Sequence, residues 1–204
     1  MEGKMQKWCC ALVLAAVTGF SAQQSQAQTA VDVSRFDIAG IRLRMTIAEV
    51  AAALKRRQEK DGGEILGEED LEKAVKDYNA VTETKYFGYS TPIYKIGVTL
   101  SPAYRVESKS FPPSVIDVVF VINNYDKHSD AIQQVIERYG EPSFHNKITG
   151  QVKYCQRLIG EGNNKTCDEK HGETLFFVNG ALYLSDKEFA ELTHAKVSAP
   201  SAVQ

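Results

Sequence analysis

The segment LFFVNGALYL, Leu175 to Leu184, places Asn179-Gly180 between two apolar runs. A two-residue turn of type I′ needs positive φ at both central positions, which Asn and Gly tolerate best, so this stretch reads as an antiparallel hairpin. A chain with such a hairpin must build the rest of an antiparallel sheet around it, and more strands are present. Tyr94, Ile96, Val98 and Leu100 alternate with Lys95, Gly97 and Thr99, the pattern of a strand with one buried face. SVIDVVFVIN, Ser114 to Asn123, is apolar on both faces apart from Asp117 and suits a central strand, and VKYCQRLI, Val152 to Ile159, reads as another. Between the first two lies SPAYRVESKSFPP, Ser101 to Pro113, too long for a tight turn; loops of that length are often functional or mobile.

Helical spacing falls between these strands. Ile47, Val50, Ala51 and Leu54 repeat at i, i+3, i+4 and i+7; Thr46 with Glu49 forms a capping box, and Gly62-Gly63 ends the helix. Glu68, Glu69 and Asp70 load the first turn of a second helix with stripe Leu71, Ala74, Val75 and Tyr78; at a helix start these are dipole-complementing charges, not catalytic carboxylates. A third begins near Asp130, with Gln133 as box partner and stripe Ile132, Val135, Ile136 and Tyr139, and stops at Gly140 and Pro142. A last short helix starts at Ser185 or Asp186, with Glu188 as box partner and Phe189 and Leu192 facing inward. The expected class is α+β, with helices packed on one face of an antiparallel sheet. It divides into two helix-plus-strands halves, 37–125 and 126–194, whose residues align only weakly as a repeat.

The first 27 residues run from Lys4 and Lys7 through the apolar stretch Trp8–Phe20 to Ser25-Gln26-Ala27, the order of a secretory signal cleaved after Ala27. Cys9 and Cys10 precede the apolar run, the reverse of a lipoprotein signal, and leave with it. The expected mature chain is a single domain over 28–194, with 195–204 a disordered tail, located in the periplasm or secreted. It carries 22 basic against 25 acidic residues, so no basic field exists to hold nucleic acid or an anionic membrane surface. Nothing downstream approaches the ~18 consecutive apolar residues of a membrane span.

GIRLRMTIAEVAAAL, Gly40 to Leu54, resembles the G-I-x-L-G-M-T-x-x-E-V-x-x-A-L segment of many exported bacterial proteins of unknown role. It also looks like the opening of the small lipoprotein of the outer-membrane barrel-assembly machinery and of the beta-lactamase inhibitory protein. VIERYGEPS, Val135 to Ser143, is similar to a helix-K-Y-G-x-P segment that accompanies this opening. The resemblance spans roughly residues 37 to 144. It implies two helices over one face of an antiparallel sheet, in a fold used for binding other proteins. Where the resembling families place Gly before the Met-Thr pair, this chain has Arg44, which is strained by about 1 kcal/mol or more if the position needs positive φ.

In an oxidising compartment Cys155 and Cys167 pair as a disulfide that closes the loop GEGNNKTCDEKHG, Gly160 to Gly172, onto a strand. The alternative is a metal site from Cys155, Cys167 and His171, with Asp168 as a further ligand, although the spacing matches no familiar zinc pattern. His128, His145 and His194 fall at loops or helix ends. With no nucleophile in a recognisable turn, no triad can be drawn and no cofactor is called for. Tyr104, Arg105 and Phe111 are residue types enriched at binding hot spots, on a segment whose prolines limit its entropy cost. The competing reading has Phe111 closing over the sheet edge. Tyr86, Phe87 and Tyr89 form a second aromatic group, more often strand packing than recognition surface. The expected function is a non-enzymatic module that binds another envelope protein; the alternative is a small-molecule or metal-binding protein, or a hydrolase, centred on Cys155, Cys167 and His171.

Overall fold

The computed structural model describes residues 28–106, 109–123 and 130–198; the expected signal segment, His128 and residues 199–204 lie outside them. Four helices, α1 (Ile47–Asp61), α2 (Glu68–Lys76), α3 (Ala131–Tyr139) and α4 (Lys187–Ser198), accompany twelve strands, and the fold is α+β. Eight of the strands make one antiparallel sheet: β1 (Glu64–Leu66), β2 (Lys85–Ser90), β3 (Tyr94–Leu100), β6 (Val115–Ile122), β7 (Phe144–Asn146), β8 (Gln151–Cys155), β11 (Glu173–Val178) and β12 (Ala181–Asp186). Across the sheet they run β1-β2-β3-β6-β12-β11-β8-β7. The order is symmetric about the β6–β12 seam: each half lays down a short edge strand first and works inward. The boundary expected between the halves falls outside the described residues.

Local chemistry explains most elements. Thr46 and Glu49 form the complete capping box of α1, whose last turn closes on Gly62 at φ 67°. Asn179 and Gly180 both take positive φ, 48° and 77°, so β11 turns directly into β12 with Val178 opposite Ala181. At α3 the expected box is absent: Asp130 makes no cap bond, and its carboxylate accepts instead from Gln134 Nε2 at 2.7 Å. Asp186 begins α4, its Oδ1 accepting from the Phe189 N–H at 2.9 Å, and the helix continues to Ser198 through the first residues expected to be tail.

The segment between β3 and β6 is not structureless. It carries its own hairpin, β4 (Tyr104–Val106) with β5 (Lys109–Phe111), while β3 and β6 pair directly beside it. The second half has a matching excursion in β9 (Leu158–Ile159) and β10 (Thr166–Cys167).

Inward strand residues Phe87, Tyr89, Ile96, Val98, Leu100, Val118, Leu182, Leu184, Leu175, Phe177, Val152 and Tyr154 form one hydrophobic cluster with Ile47, Val50 and Leu54 of α1, Leu71 of α2 and Val135 of α3. The first and last described segments each pack on the opposite half. The first described residues lie on the second half, where Val31 N–H bonds Cys155 C=O at 2.8 Å and the Phe36 ring packs on Tyr139 and Tyr154. At the other end α4 packs on the first half, with Phe189 edge-on to Tyr104 and His194 beside Thr84.

Candidate binding face

Because successive strand residues point to opposite sides, the strands that bury Phe87, Ile96, Val118, Leu184 and Leu175 inward present a second set outward. Register lines these into rows across the sheet. One row runs Tyr86, Thr99, Asp117, Ser185, Thr174, Cys155; the next runs Leu66, Gly88, Gly97, Val119, Tyr183, Phe176, Lys153. A register shift puts Ile116 in β6 without a partner, since Thr99 faces Asp117 and Leu100 faces Val115. This bulge turns Ile116 and Asp117 to the same outward side.

Four of the large apolar side chains on this face are open to solvent: Leu66 at 44%, Tyr86 at 74%, Val121 at 38% and Tyr183 at 37%. At the β1–β3 end, Leu66, Tyr86 and Val121 surround a shallow hollow of about 470 Å³ floored by Gly88 and Gly97. A side chain at Gly88 would collide with the Ile96 carbonyl and Leu66, whereas one at Gly97 would meet nothing within 4 Å. Gly97 is therefore not required by packing, and its effect is to leave the floor bare. Lys95 stands at the rim with no ion pair among the described residues.

At the other end of the face, Asp117, Thr174, Ser185, Phe176 and Tyr183 floor a second cavity of about 460 Å³, walled by Lys187 and Ala190 of α4 and by Cys167 and Glu169. Thr174 and Ser185 hydroxyls lie 3.2 Å apart. Burial pushes the Asp117 carboxyl up to about 6, against the pull of Lys187.

The residues expected to bind a partner are brought together, but largely in service of packing. Tyr104 and Phe111 stack across β4–β5 with centroids 4.9 Å apart, and Tyr104 then meets Phe189. Arg105 is exposed and bonds only loosely to Ser110 Oγ, at 3.4 Å. Tyr86, Phe87 and Tyr89 divide: the last two are buried, and Tyr86 faces out.

Cys155 and Cys167 are joined as a disulfide, with Cα atoms 5.5 Å apart. The bonded sulfurs leave no thiolate for a metal. His171 turns instead to Asp168, 3.1 Å away, and among the described residues no three His, Cys, Asp or Glu side chains gather as a metal set. His145 lies on edge strand β7.

Sequence reasoning did not anticipate the cluster around Arg44. Its φ is +64° and its N–H bonds Val115 C=O at 2.8 Å. Its guanidinium reaches Asp186 at 2.5 Å and Glu173 at 3.7 Å and lies over the Phe189 ring at 4.8 Å. Asp186 and Glu173 are directly paired across β11–β12 and only 1% and 6% exposed. Burial, followed by the neighbouring Asp186, raises the Glu173 carboxyl, and its Oε2 has no hydrogen-bond partner. Compared with protein-family models, curated proteins and solved structures, the chain matches none.

Proposed function

We propose that the protein is a non-enzymatic protein-binding module of the bacterial envelope, working in the periplasm or after secretion, with α1, α2 and α3 covering the structural face of the sheet and the outward face used for binding. The observation that carries this reading is the group of exposed apolar side chains Leu66, Tyr86 and Val121 around the hollow, with Tyr183 beyond it, on the outward side of one sheet. A contiguous apolar patch on a folded domain costs solubility and is retained where a partner covers it. Lys95 at its rim complements a partner segment that brings an apolar side chain with a carboxylate beside it. The disulfide fits an oxidising compartment.

The test is photo-crosslinking in cells. A photoreactive residue replacing Lys95 is expected to trap one envelope protein, and the same residue at Glu59, on the exposed side of α1, is expected to trap none. No adduct at Lys95, or the same adducts from both positions, overturns the reading. Recovery of the chain in the cytoplasm on fractionation overturns the location.

A further inference from the structure

The second cavity on the outward face has a chemistry unlike that of the apolar hollow. Its polar floor is a line of side chains from four neighbouring strands, Thr99, Asp117, Ser185 and Thr174. With strands ~4.8 Å apart, that line spans about 14 Å. Beside it, the Phe176 and Tyr183 rings lie nearly parallel, 28° apart with centroids separated by 6.4 Å; Lys153 Nζ sits over Phe176 at 4.7 Å, so Tyr183 offers the more open aromatic face. Asp117 opens into this space beside the bulge at Ile116, where its carboxylate takes a bond from the Val118 backbone and feels the Lys187 charge.

The charges bound what can occupy it. Glu169 holds Lys153 at 2.6 Å and stands 4.0 Å from Lys187, while Asp186 is taken by Arg44. Two carboxylates, Asp117 and Glu169, therefore face two ammonium groups, Lys153 and Lys187. A cationic ligand meets both lysines and an anionic one meets Asp117, so the balance favours a neutral guest. That guest must donate hydrogen bonds to a half-buried carboxylate, exchange them with two hydroxyls, and present an apolar face to aromatic rings. A sugar ring does all three: its hydroxyls lie around the edge and its C–H groups cover the faces.

We propose that this cavity is a binding site for a neutral saccharide, with a sugar ring stacked on Tyr183 and its hydroxyls donating to Asp117. Burial holds the Asp117 carboxyl high despite Lys187 and a bond from the Val118 backbone, and sugar hydroxyls would add donors that favour its charged form. The site goes beyond the protein-binding reading and does not depend on it: Tyr86 borders both cavities and Tyr183 belongs to the same exposed face, but the polar floor at Asp117, Ser185 and Thr174 is distinct from the hollow at Lys95.

The experiment is an amide chemical-shift titration of residues 28–204 with chitotriose, maltotriose and cellotriose, using sorbitol as an acyclic control. Saturable shifts centred on β6, β11 and β12 are expected for at least one trisaccharide, with a Kd of about 1 mM or tighter, and none for sorbitol. Asp117→Asn, which keeps the side-chain volume, and Tyr183→Ala are each expected to weaken binding by about tenfold or more, whereas Arg105→Ala leaves it unchanged. Binding by the wild type is expected to fall as pH drops below about 6, where Asp117 takes up a proton. The proposal is overturned if no trisaccharide saturates, if the shifts map elsewhere, or if Asp117→Asn binds as tightly as wild type. Lys95 crosslinking is scored separately, so failure here leaves the protein-binding reading standing.

Discussion

Arg44 sits in the left-handed region, where an L side chain costs about 1–2 kcal/mol. Glycine would remove that cost, yet among the described residues the guanidinium is the one cationic partner of two buried carboxyls, Asp186 and Glu173. We expect Arg44→Gly to be destabilising at pH 7, by roughly 1–3 kcal/mol in urea unfolding. The figure is lower than for a fully buried pair because the Arg44 side chain is 56% exposed. The pH dependence follows from Glu173, whose native carboxyl lies above its ordinary 4.5. The folded state then holds that proton more tightly than the unfolded state, so stability is lost as pH rises through the native value and regained on acidification towards 4.5. The deficit of Arg44→Gly is therefore expected to shrink as pH falls. A deficit independent of pH would assign the loss to packing on Phe189. The condition under which Arg44 is strained, a position that needs positive φ, was legible from the sequence. Its compensation was not, because Asp186 and Glu173 are 142 and 129 residues away and meet Arg44 only once β11 and β12 pair.

Among the elements, those with self-contained chemistry were readable: the Thr46–Glu49 box and the Asn179-Gly180 turn each need only neighbouring residues. The Asp130–Gln133 box fails because Gln134 offers the Asp130 carboxylate a better donor one position on. The β4–β5 hairpin was hidden because its strands are three residues each, and Tyr104 and Phe111 gain their stacking only against each other and α4. The Cys155–Cys167 bond was readable from compartment and count, and it fastens the end of β8 to the β9–β10 excursion. By the chain-entropy estimate, a loop of this length is worth ~3 kcal/mol. Reduction, or Cys155→Ser with Cys167→Ser, is expected to lower stability by about that amount in denaturant, with the outward face retained. Loss of Glu169 from the cavity wall should then weaken trisaccharide binding more than it affects crosslinking at Lys95.

At the scale of the whole molecule, the symmetric strand order and the outward rows come from pairings far apart in sequence, which periodicity does not encode. The expected halves began at residue 37, but the preceding residues belong to the other half: Val31 and Phe36 lie on β8 and its neighbours. Deleting residues 28–36 is therefore expected to expose amides of β8 and β11 to hydrogen exchange before those of α1, although α1 is nearer in the chain. Earlier exchange in α1 would mean that the opening segment only covers its own neighbours.

This packing of each end on the opposite half also sets an order of assembly. A chain that emerges from its N-terminus first exposes Val31 and Phe36 long before Tyr154 exists to receive them, while the β4–β5 hairpin waits for Phe189. Neither half can be finished from its own residues alone, and contacts of such sequence separation fold slowly. Val31 and Phe36 must stay uncommitted until the strands of the second half are made. A holding chaperone is most useful to a chain with this kind of delay.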